Sequence, residues 1–390
     1  MKIAVILSRF PYPLEKGDKL RAYQHLKALS ANYEVSLFCL SDEKPSDKGL
    51  EIIGGIVKNI KVYRLNKITI LINLLMSFIR NLPLQVGYFF NRSIQRKMVS
   101  DIEASGVDIV YCQLIRTALY GCQFTCKKVI DFQDAFSVGT EQRMNRSKWV
   151  LKWLFKRELK LVKQFESNIF KEFEHHLVIS ERDREGICHD QKLQITVMPN
   201  GIDTDFFKND KTKGTSSTIL FVGNMNYTPN IDAAVFLINE IMPLVWKKNK
   251  SLNVTIAGAN PSSAVQELSS PRVTITGWVD DIRVEYAKAE VFVAPMRIGT
   301  GVQNKLMEAM AMGIPSITTT ISAQPLGVRN GEELLIANTA SELSDAILKL
   351  INDEILYSRV SGSGRSFIEE RYSNKKADKK FAAFFEKIVE

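Results

Sequence analysis

Cysteines, histidines and long apolar runs are scarce in this chain of 390 residues, and each scarcity excludes a class of protein. The five cysteines form no C-x-x-C pair and the four histidines stand at no metal-ligand spacing, so neither a disulfide framework nor zinc is predicted. The longest apolar stretch, residues 68–79, is interrupted by Asn73 and Ser77 and falls short of the roughly 20 residues that span a bilayer. We therefore predict no transmembrane helix.

No signal peptide is predicted at the start of the sequence. The first residues, MKIAVILSRFPYP, place one lysine before a short apolar run and two prolines. Such a run is too short and wrongly flanked for a secretory signal, and it reads as a first buried strand. Together with the cysteine pattern, this predicts a cytoplasmic protein.

Acidic residues are scarce in the first half of the chain. Residues 1–200 contain 31 Lys and Arg against 21 Asp and Glu, whereas residues 201–390 contain 21 against 22. Residues 51–100 hold eight basic residues against the single acid Glu51, interleaved with Ile, Leu and Phe. This combination favours an anionic membrane surface, with a solvated basic face as the alternative. No nucleic-acid recognition pattern accompanies the charge, so no nucleic-acid partner is expected.

Short β-branched runs alternate with amphipathic segments along the whole chain, which is typical of βαβ units around parallel sheets. One of these segments, residues 19–30, has an apolar stripe and Asp18 as a possible N-cap, and a longer helix is predicted over residues 147–174. The alternation restarts after a polar stretch at 211–217. The sequence thus predicts two open α/β domains, and in such sheets ligands bind outside the carboxyl ends of the strands.

The densest functional signal is APMRIGTGVQNKLMEAMAMGIPSITTT at residues 294–320. A strand is followed by a Gly-Thr-Gly turn at 299–301 and a helix from about Val302, whose free N–H groups could bind an anion. Lys305 and Glu308 share one helix face, and Arg297 precedes the turn. These residues outline a nucleotide-diphosphate site. The turn could instead serve helix packing, and the Lys/Glu pair could be a surface ion pair.

In this segment the sequence resembles the retaining GT-B glycosyltransferases of family 4 (group 1), with an R-x-G-T-G-x-x-x-K-x-x-E form of the donor motif. Further segments follow in the family's order, namely SRFPYPLEKGDKLRAYQHLKAL, VISERDREGI, ITVMPNGIDTDFF, FVGNMNYTPNIDAA, VTIAGA and ITGWVDDIRVEYAKAEVFVAP. The resemblance implies two facing Rossmann-like domains, at 1–198 for the acceptor and 199–372 for the nucleotide sugar. A C-terminal helix, 373–390, would return to the N-terminal domain.

The resemblance also implies roles for individual residues. Glu308 would bind the nucleotide ribose and Lys305 the diphosphate, with Arg297 beside them. The other expected donor contacts act through the backbone or by close approach, which glycine permits. They are Gly17, Gly223, Gly277, Trp278, Val279, Gly299, Thr300, Gly301 and Val302.

Three positions depart from the family's pattern. Thr300 stands where a glutamate is common, so donor-sugar hydroxyls would be bound by backbone amides or Gln303. Asn224 stands where many members have arginine, a charge that Arg297 could replace. Asp134 follows the fifth strand, where a histidine is frequent, and it could contact the acceptor or act as a base; it could equally cap a helix.

A metal is not expected. Asp203 and Asp205 match a D-x-D pattern that holds metals elsewhere, but here they lie in a chain crossing where carboxylates commonly cap turns. The histidines form no cluster and are expected to be structural or on the surface, and the donor sugar nucleotide is the only small molecule required.

The sequence predicts a metal-independent, retaining hexosyltransferase that uses a nucleotide-diphosphate sugar. The acceptor would be a polyprenyl-linked or otherwise lipid-linked saccharide, in the synthesis of a bacterial surface polysaccharide such as lipopolysaccharide or capsule. The protein would be peripheral on the inner face of the cell membrane. Two alternatives share the fold: a nucleotide-sugar isomerase or epimerase, and a non-catalytic module that binds nucleotide sugars.

Overall fold

The computed structural model describes residues 1–14, 16–147, 149–208, 217–298 and 302–389. Within them the chain divides into two compact units. Unit one contains residues 1–200 and 378–390, and unit two contains residues 201–377. Each unit is built around its own sheet, so the two are described separately.

The sheet of unit one is parallel throughout, with the strand order β3-β2-β1-β4-β5-β6-β7. Its central strands are almost completely buried, because helices cover both faces of a parallel sheet. The strands are β1 (Lys2–Leu7), β2 (Glu34–Ser41), β3 (Asn59–Arg64), β4 (Ile109–Gln113), β5 (Lys127–Gln133), β6 (His175–Val178) and β7 (Thr196–Val197).

The helices of unit one connect these strands and close the two faces. Several begin at a side-chain cap, for example α3 at Asn66, whose Oδ1 accepts from the Thr69 N–H at 2.7 Å. They are α1 (Gly17–Ser30), α2 (Asp47–Gly54), α3 (Lys67–Ile79), α4 (Leu84–Phe89), α5 (Arg92–Glu103), α6 (Ala118–Gly121), α7 (Phe136–Arg146), α8 (Trp149–Phe170) and α9 (Glu181–Gly186).

The sheet of unit two repeats the same topology with six parallel strands among the described residues, in the order β10-β9-β8-β11-β12-β13. They are β8 (Thr218–Val222), β9 (Asn253–Ala257), β10 (Val273–Gly277), β11 (Val291–Ala294), β12 (Ser316–Thr318) and β13 (Leu335–Ile336). In both sheets the first strand lies between the second and the fourth, so the strand order reverses there. Ligands of open α/β sheets bind at such a reversal.

The helices of unit two cover its sheet in the same way. α16 begins with a capping box in which Thr339 and Glu342 satisfy each other's backbone N–H groups. The helices are α10 (Thr228–Phe236), α11 (Met242–Lys248), α12 (Ser263–Gln266), α13 (Ile282–Lys288), α14 (Asn304–Ala311), α15 (Thr320–Ala323), α16 (Ala340–Asn352) and α17 (Glu354–Arg371). The last helix, α18 (Asn374–Val389), begins in unit two and continues into unit one.

The C-terminal part of α18 completes the core of unit one. Phe381 and Phe385 are buried beside β1 and β4 residues such as Ile3 and Tyr111. The predicted architecture of two parallel-sheet α/β domains with a returning C-terminal helix is therefore confirmed. No helix among the described residues is both long and apolar enough to cross a membrane.

Two local predictions were wrong. Asp18 does not cap α1, which begins one residue earlier at Gly17 after Lys16, and the Asp18 carboxylate instead pairs with Arg9 at 3.3 Å. The helix predicted over 147–174 begins only at Trp149, because the extended backbone of Ser147 ends α7 just before it. The predicted linker at 211–217 lies outside the described residues except for Ser217.

Candidate functional site

Lys305 lies in the first turn of α14, at the carboxyl edge of the unit two sheet. Its ammonium donates to Asn230 Oδ1 at 2.5 Å and stands 4.8 Å from the centre of the Phe221 ring. Burial lowers the pKa of Lys305 to about 7, with the neighbouring Glu308 carboxylate acting in the opposite direction. The site thus holds a partly desolvated cation that would gain from an anionic ligand.

Asn230 fixes that lysine, and sequence reasoning did not single it out. The residue is buried near the start of α10, and its Nδ2 donates to the Asn224 carbonyl at 2.9 Å. Its amide therefore bridges the loop after β8 and the Lys305 ammonium. The available signal was an asparagine on the buried face of α10, which is otherwise formed by Pro229, Ala233, Ala234 and Phe236, since a buried polar side chain requires partners.

Gly223 follows β8 and leaves room for this cluster. A Cβ at this position would lie 2.6 Å from Asn230 Nδ2 and 3.1 Å from Lys305 Nζ. Any side chain would therefore displace the amide from the lysine. The predicted residues Gly223, Asn224 and Lys305 are brought together around Asn230.

Glu308 lies one turn beyond Lys305 on α14. Its Oε2 accepts from the Tyr286 hydroxyl at 2.9 Å, and the same hydroxyl lies 3.1 Å from the Lys305 carbonyl oxygen. Burial raises the pKa of Glu308, while the tyrosine bond and Lys305 lower it. Tyr286, on α13, is thus a second positioning residue that the sequence reasoning did not identify.

Arg297 is placed differently from Lys305 and Glu308. Its guanidinium forms two hydrogen bonds with the Asp232 carboxylate, at 2.7 and 3.0 Å, and approaches Glu240 at 3.5 Å. It also lies 4.2 Å from the centre of the Phe236 ring. These contacts are with α10 and the turn that follows it, so Arg297 would have to exchange an ion pair to reach a diphosphate.

The remaining donor-side predictions lie at two loops. Gly277 ends β10 with a φ of 67°, which glycine adopts without strain, and it is followed by Trp278, 65% exposed, and the half-buried Val279. Val302 and Gln303 directly precede α14, and the Gln303 carbonyl accepts from the Leu306 N–H at 3.0 Å. Gly299, Thr300 and Gly301 lie outside the described residues.

In unit one, Asp134 stands directly after β5. Gln133 before it has a φ of 61°, an uncommon value for a residue with a side chain, and its Nε2 donates to Asp134 Oδ2 at 3.3 Å. Burial and, to a smaller extent, the nearby Asp183 carboxylate together raise the pKa of Asp134 to about 7. A carboxyl group in this state can exchange a proton near neutral pH.

The surroundings of Asp134 are polar and contain charges of both signs, since Arg21 and Arg116 act on it as well as Asp183. Asp183 accepts from the Ala135 N–H at 3.2 Å and from the Ser180 hydroxyl. On β4, Gln113 Nε2 donates to Gln133 Oε1 at 3.2 Å. Gly17 begins α1, and a Cβ on it would meet no atom within 4 Å. Unit one alone therefore gives no steric reason for this glycine.

Asp131 lies on β5, three residues before Asp134, and serves the core. Its carboxylate pairs with the fully buried Arg21 at 2.6 Å and accepts from Tyr111 at 2.9 Å. Tyr111 in turn contacts His25, whose ring stacks on Phe381. This network joins α1, two strands and α18. Removal of either charged side chain would leave the other charge buried in the core without a partner.

The two carboxylates of the D-x-D pattern point to different partners. Asp203 accepts from the Phe206 N–H at 2.9 Å, and Asp205 pairs with Lys375 at 2.9 Å. Across the described ranges, no group of three or more His, Cys, Asp or Glu could hold a metal ion.

Comparison with known proteins adds to this geometry. Residues 216–353 match the family model described as "Glycosyl transferases group 1". The matched segment lies within unit two. The match spans every residue of the cluster around Lys305, from Gly223 to Glu308.

Two relatives match this chain, one over nearly its whole length and the other over about a quarter of it. An uncharacterised 44.6 kDa protein of the cps region of Klebsiella pneumoniae is 25% identical over 96% of this chain and 97% of its own. The capsular polysaccharide biosynthesis glycosyltransferase CapM of Staphylococcus aureus is 34% identical over 27% of this chain and 28% of its own.

The fold comparison covers both units. The solved structure of HepE from Anabaena, in complex with UDP, has a TM-score of 0.72 at 14% identity, over 99% of this chain and 100% of that one. HepE has also been solved with UDP-glucose. The architecture is that of GT-B glycosyltransferases.

Proposed function

We propose that this protein transfers a sugar, with retention of configuration and without a metal, from a nucleotide-diphosphate donor to a saccharide acceptor. One observation carries the proposal: Lys305 and Glu308 are both held by buried partners, Asn230 and Tyr286, inside the group 1 glycosyltransferase segment. A surface ion pair would need neither partner. This favours a prepared ligand site over the alternative of a solvated Lys/Glu pair.

The chemistry of the reaction explains the cluster. When the glycosidic bond to the diphosphate breaks, negative charge grows on the leaving group, and a fixed cation in a dry site stabilises it most. Lys305 would provide that cation at the diphosphate and regain full protonation as it binds. Glu308 would accept hydrogen bonds from the ribose hydroxyls, and the leaving phosphate would help to take the acceptor proton.

The donor contacts extend along the carboxyl edge of unit two. Gly277, Trp278 and Val279 would line the base, and the backbone from Gly299 to Gln303 would bind the donor sugar and phosphate. Arg297 would add charge after leaving Asp232. In this proposal residues 199–372 form the donor domain.

Residues 1–198, with the helix at 373–390, would form the acceptor domain. Gly17 would approach the donor phosphate, and Asp134 would contact the acceptor hydroxyl or remove its proton, which a pKa of about 7 allows. The names of the Klebsiella and Staphylococcus relatives support capsule or related surface polysaccharide synthesis. A lipid-linked acceptor at the inner face of the cell membrane fits that setting.

The test is a thermal-shift screen of the intact protein against UDP-, GDP-, ADP- and dTDP-sugars, followed by assays of nucleoside diphosphate release. We expect one donor to stabilise the fold and to release its diphosphate faster with a saccharide acceptor. The anomeric configuration of the product, read by NMR, tests retention. Turnover of the donor sugar to an isomer without acceptor would favour an isomerase, and binding without release would favour a non-catalytic module.

A further inference from the structure

The helix α3 of unit one is amphipathic, but its large apolar side chains lie on the face that is exposed to solvent. Six of its large apolar side chains are exposed and recur three and four residues apart, so they form one stripe. Ile68 and Ile79 at its two ends are 72% and 74% exposed. The exposed residues are Ile68, Leu71, Ile72, Leu75, Phe78 and Ile79.

The fully buried side chains of the same helix are polar or small, whereas Ile70 is half-buried against the core. Asn73 and Ser77 are both buried, and the Ser77 hydroxyl donates to the Asn73 carbonyl at 2.6 Å. α4 packs so closely there that a Cβ on Gly87 would lie 1.5 Å from Ser77 Oγ. The helix is therefore fixed with its apolar face outward, and rotation would place leucines where only serine and glycine fit.

The beginning of α8 extends this apolar surface. Trp149, Leu151 and Trp153 are exposed, with Trp149 at 85%. The two helices are joined, because Arg157 donates to the Phe78 carbonyl at 3.1 Å and its guanidinium lies 4.0 Å from the Phe78 ring centre. These nine residues are here called the apolar platform. They are nine of the seventeen large apolar side chains that are exposed among the described residues, so the exposure is concentrated.

Positive charge surrounds the apolar platform. α3 carries no acid, and Glu158, the one acid in residues 149–160, is buried and accepts from the Leu84 N–H at 2.8 Å. Five basic residues on or beside the two helices are exposed. They are Lys67, Arg80, Lys152, Lys156 and Lys160.

We propose that the apolar platform binds an anionic membrane surface, with α3 lying in the plane of the interface. A helix of 13 residues is too short to span a bilayer but long enough to bury one face among lipid headgroups. Tryptophans at the rim of an apolar face and lysines around it are the side chains that the interface of an anionic bilayer accommodates. The positive charge favours an anionic membrane over a second copy of the chain as the binding partner, since two copies of one basic surface would repel each other.

This inference rests on the proposed function only in one respect: the membrane is where a lipid-linked acceptor would lie. The platform would bring that acceptor to unit one without any residue of the Lys305 cluster. Membrane binding and donor turnover can therefore be measured, and can fail, separately.

The experiment is co-sedimentation of the intact protein with vesicles of phosphatidylglycerol and phosphatidylcholine, compared with pure phosphatidylcholine. We expect binding to the anionic vesicles, and a loss of about tenfold or more in the double variant Leu71→Glu/Leu75→Glu. The matched control is Ile355→Glu, because Ile355 is 82% exposed on α17 of unit two. It should bind as the wild type does.

Two further measurements separate the parts of the proposal. Replacement of Lys152 and Lys156 by glutamine should weaken anionic-vesicle binding about fivefold per residue at low salt. Quenching of tryptophan fluorescence by brominated lipid should occur in the wild type and be lost in Trp149→Phe/Trp153→Phe.

Three results would overturn the membrane assignment. They are wild-type binding by Leu71→Glu/Leu75→Glu with an unchanged thermal unfolding midpoint, equal binding to neutral vesicles, and a dimer in solution that this variant converts to a monomer. The third result would assign the platform to a second copy of the chain. Donor-dependent diphosphate release by the variant in solution shows that the proposed function stands whichever result is obtained.

Discussion

The two units have the same strand order, but they carry different side chains at the carboxyl ends of their strands. In unit two, the reversal point holds a cationic cluster around Lys305 and Asn230. In unit one, the corresponding edge holds Asp134 near Asp183, and its arginines, Arg9 and Arg116, are already paired with the Asp18 carboxylate. The fold decides where a ligand can bind, and a few side chains decide which ligand it is.

Burial acts on both edges and brings two groups of opposite sign to a pKa near 7. It lowers the pKa of Lys305 to about 7 and raises that of Asp134 to about 7. In each case the low dielectric disfavours the charged form. A diphosphate would restore the charge of Lys305, whereas an acceptor hydroxyl could share its proton with Asp134. The difference between the edges predicts which step each variant affects.

The largest effect is expected in unit two. Lys305→Ala and Glu308→Ala should each reduce donor-dependent diphosphate release about a hundredfold or more, because each removes a fixed contact with the leaving nucleotide. Initial rates at saturating donor measure this.

The chain contains its own matched control for that experiment. Lys248 and Asp345 form an ion pair at 3.0 Å on the surface of unit two, with both side chains exposed. Alanine at either position should change the rate by less than about twofold, because exposed pairs contribute little. A similar loss in both pairs would show that the Lys305 cluster is not special.

A smaller effect, confined to transfer, is expected in unit one. Asp134→Asn should lower the transfer rate about tenfold through loss of a charged hydrogen bond to the acceptor, while donor hydrolysis and donor affinity stay as in the wild type. Diphosphate release measured with and without acceptor separates the two steps. A reduced donor affinity in Asp134→Asn would contradict the proposal that unit two binds the donor and Asp134 of unit one contacts only the acceptor.

The pH dependence of donor binding is expected to report Lys305. The diphosphate of a nucleotide sugar keeps its charge across the neutral range, so the protonated fraction of Lys305 sets the affinity. Because this lysine has a pKa of about 7, its charge is lost as pH rises. Affinity should fall roughly fivefold between pH 7 and 8. Titration calorimetry should show this slope in the wild type and none in Lys305→Ala; a flat wild-type profile would contradict it.

The smallest effect is expected at Arg297. Its ion pair with Asp232 must break before it can bind a diphosphate, so the gain and the loss largely cancel. Arg297→Gln should reduce donor affinity only about threefold. Asp232→Asn, which removes one of the arginine's ion pairs, should leave affinity unchanged or raise it. A loss of donor affinity as large as that of Lys305→Ala would contradict this and show that Arg297 is a main ligand of the diphosphate.

Much of the fold could be predicted from the sequence, because strands and helices leave patterns among residues that are neighbours in the chain. Strands such as Lys2–Leu7 appear as apolar β-branched runs, and amphipathic helices follow them. Helix starts were less reliable. Asp18 has the residue type of a cap, but Arg9 holds its carboxylate, and Arg9 reaches it only in the folded chain.

Much of the candidate site could also be read locally. Lys305 and Glu308 stand one helical turn apart, so their spacing alone places them together. Asn230 and Tyr286 lie 75 and 22 residues away from the groups that they bind, and no local pattern connects them. The outward-facing stripe of α3 was similarly read only as an interrupted apolar run.

By itself, the sequence determined the alternation of strands and helices, the excess of positive charge in the first half and the Lys305 and Glu308 pair. These depend on neighbours within a few residues. The tertiary structure alone decided which partners hold Lys305, that Asp232 holds Arg297 and which face of α3 meets solvent. Such contacts are fixed by packing between distant segments, where burial sets both the pKa of a side chain and the partner that it requires.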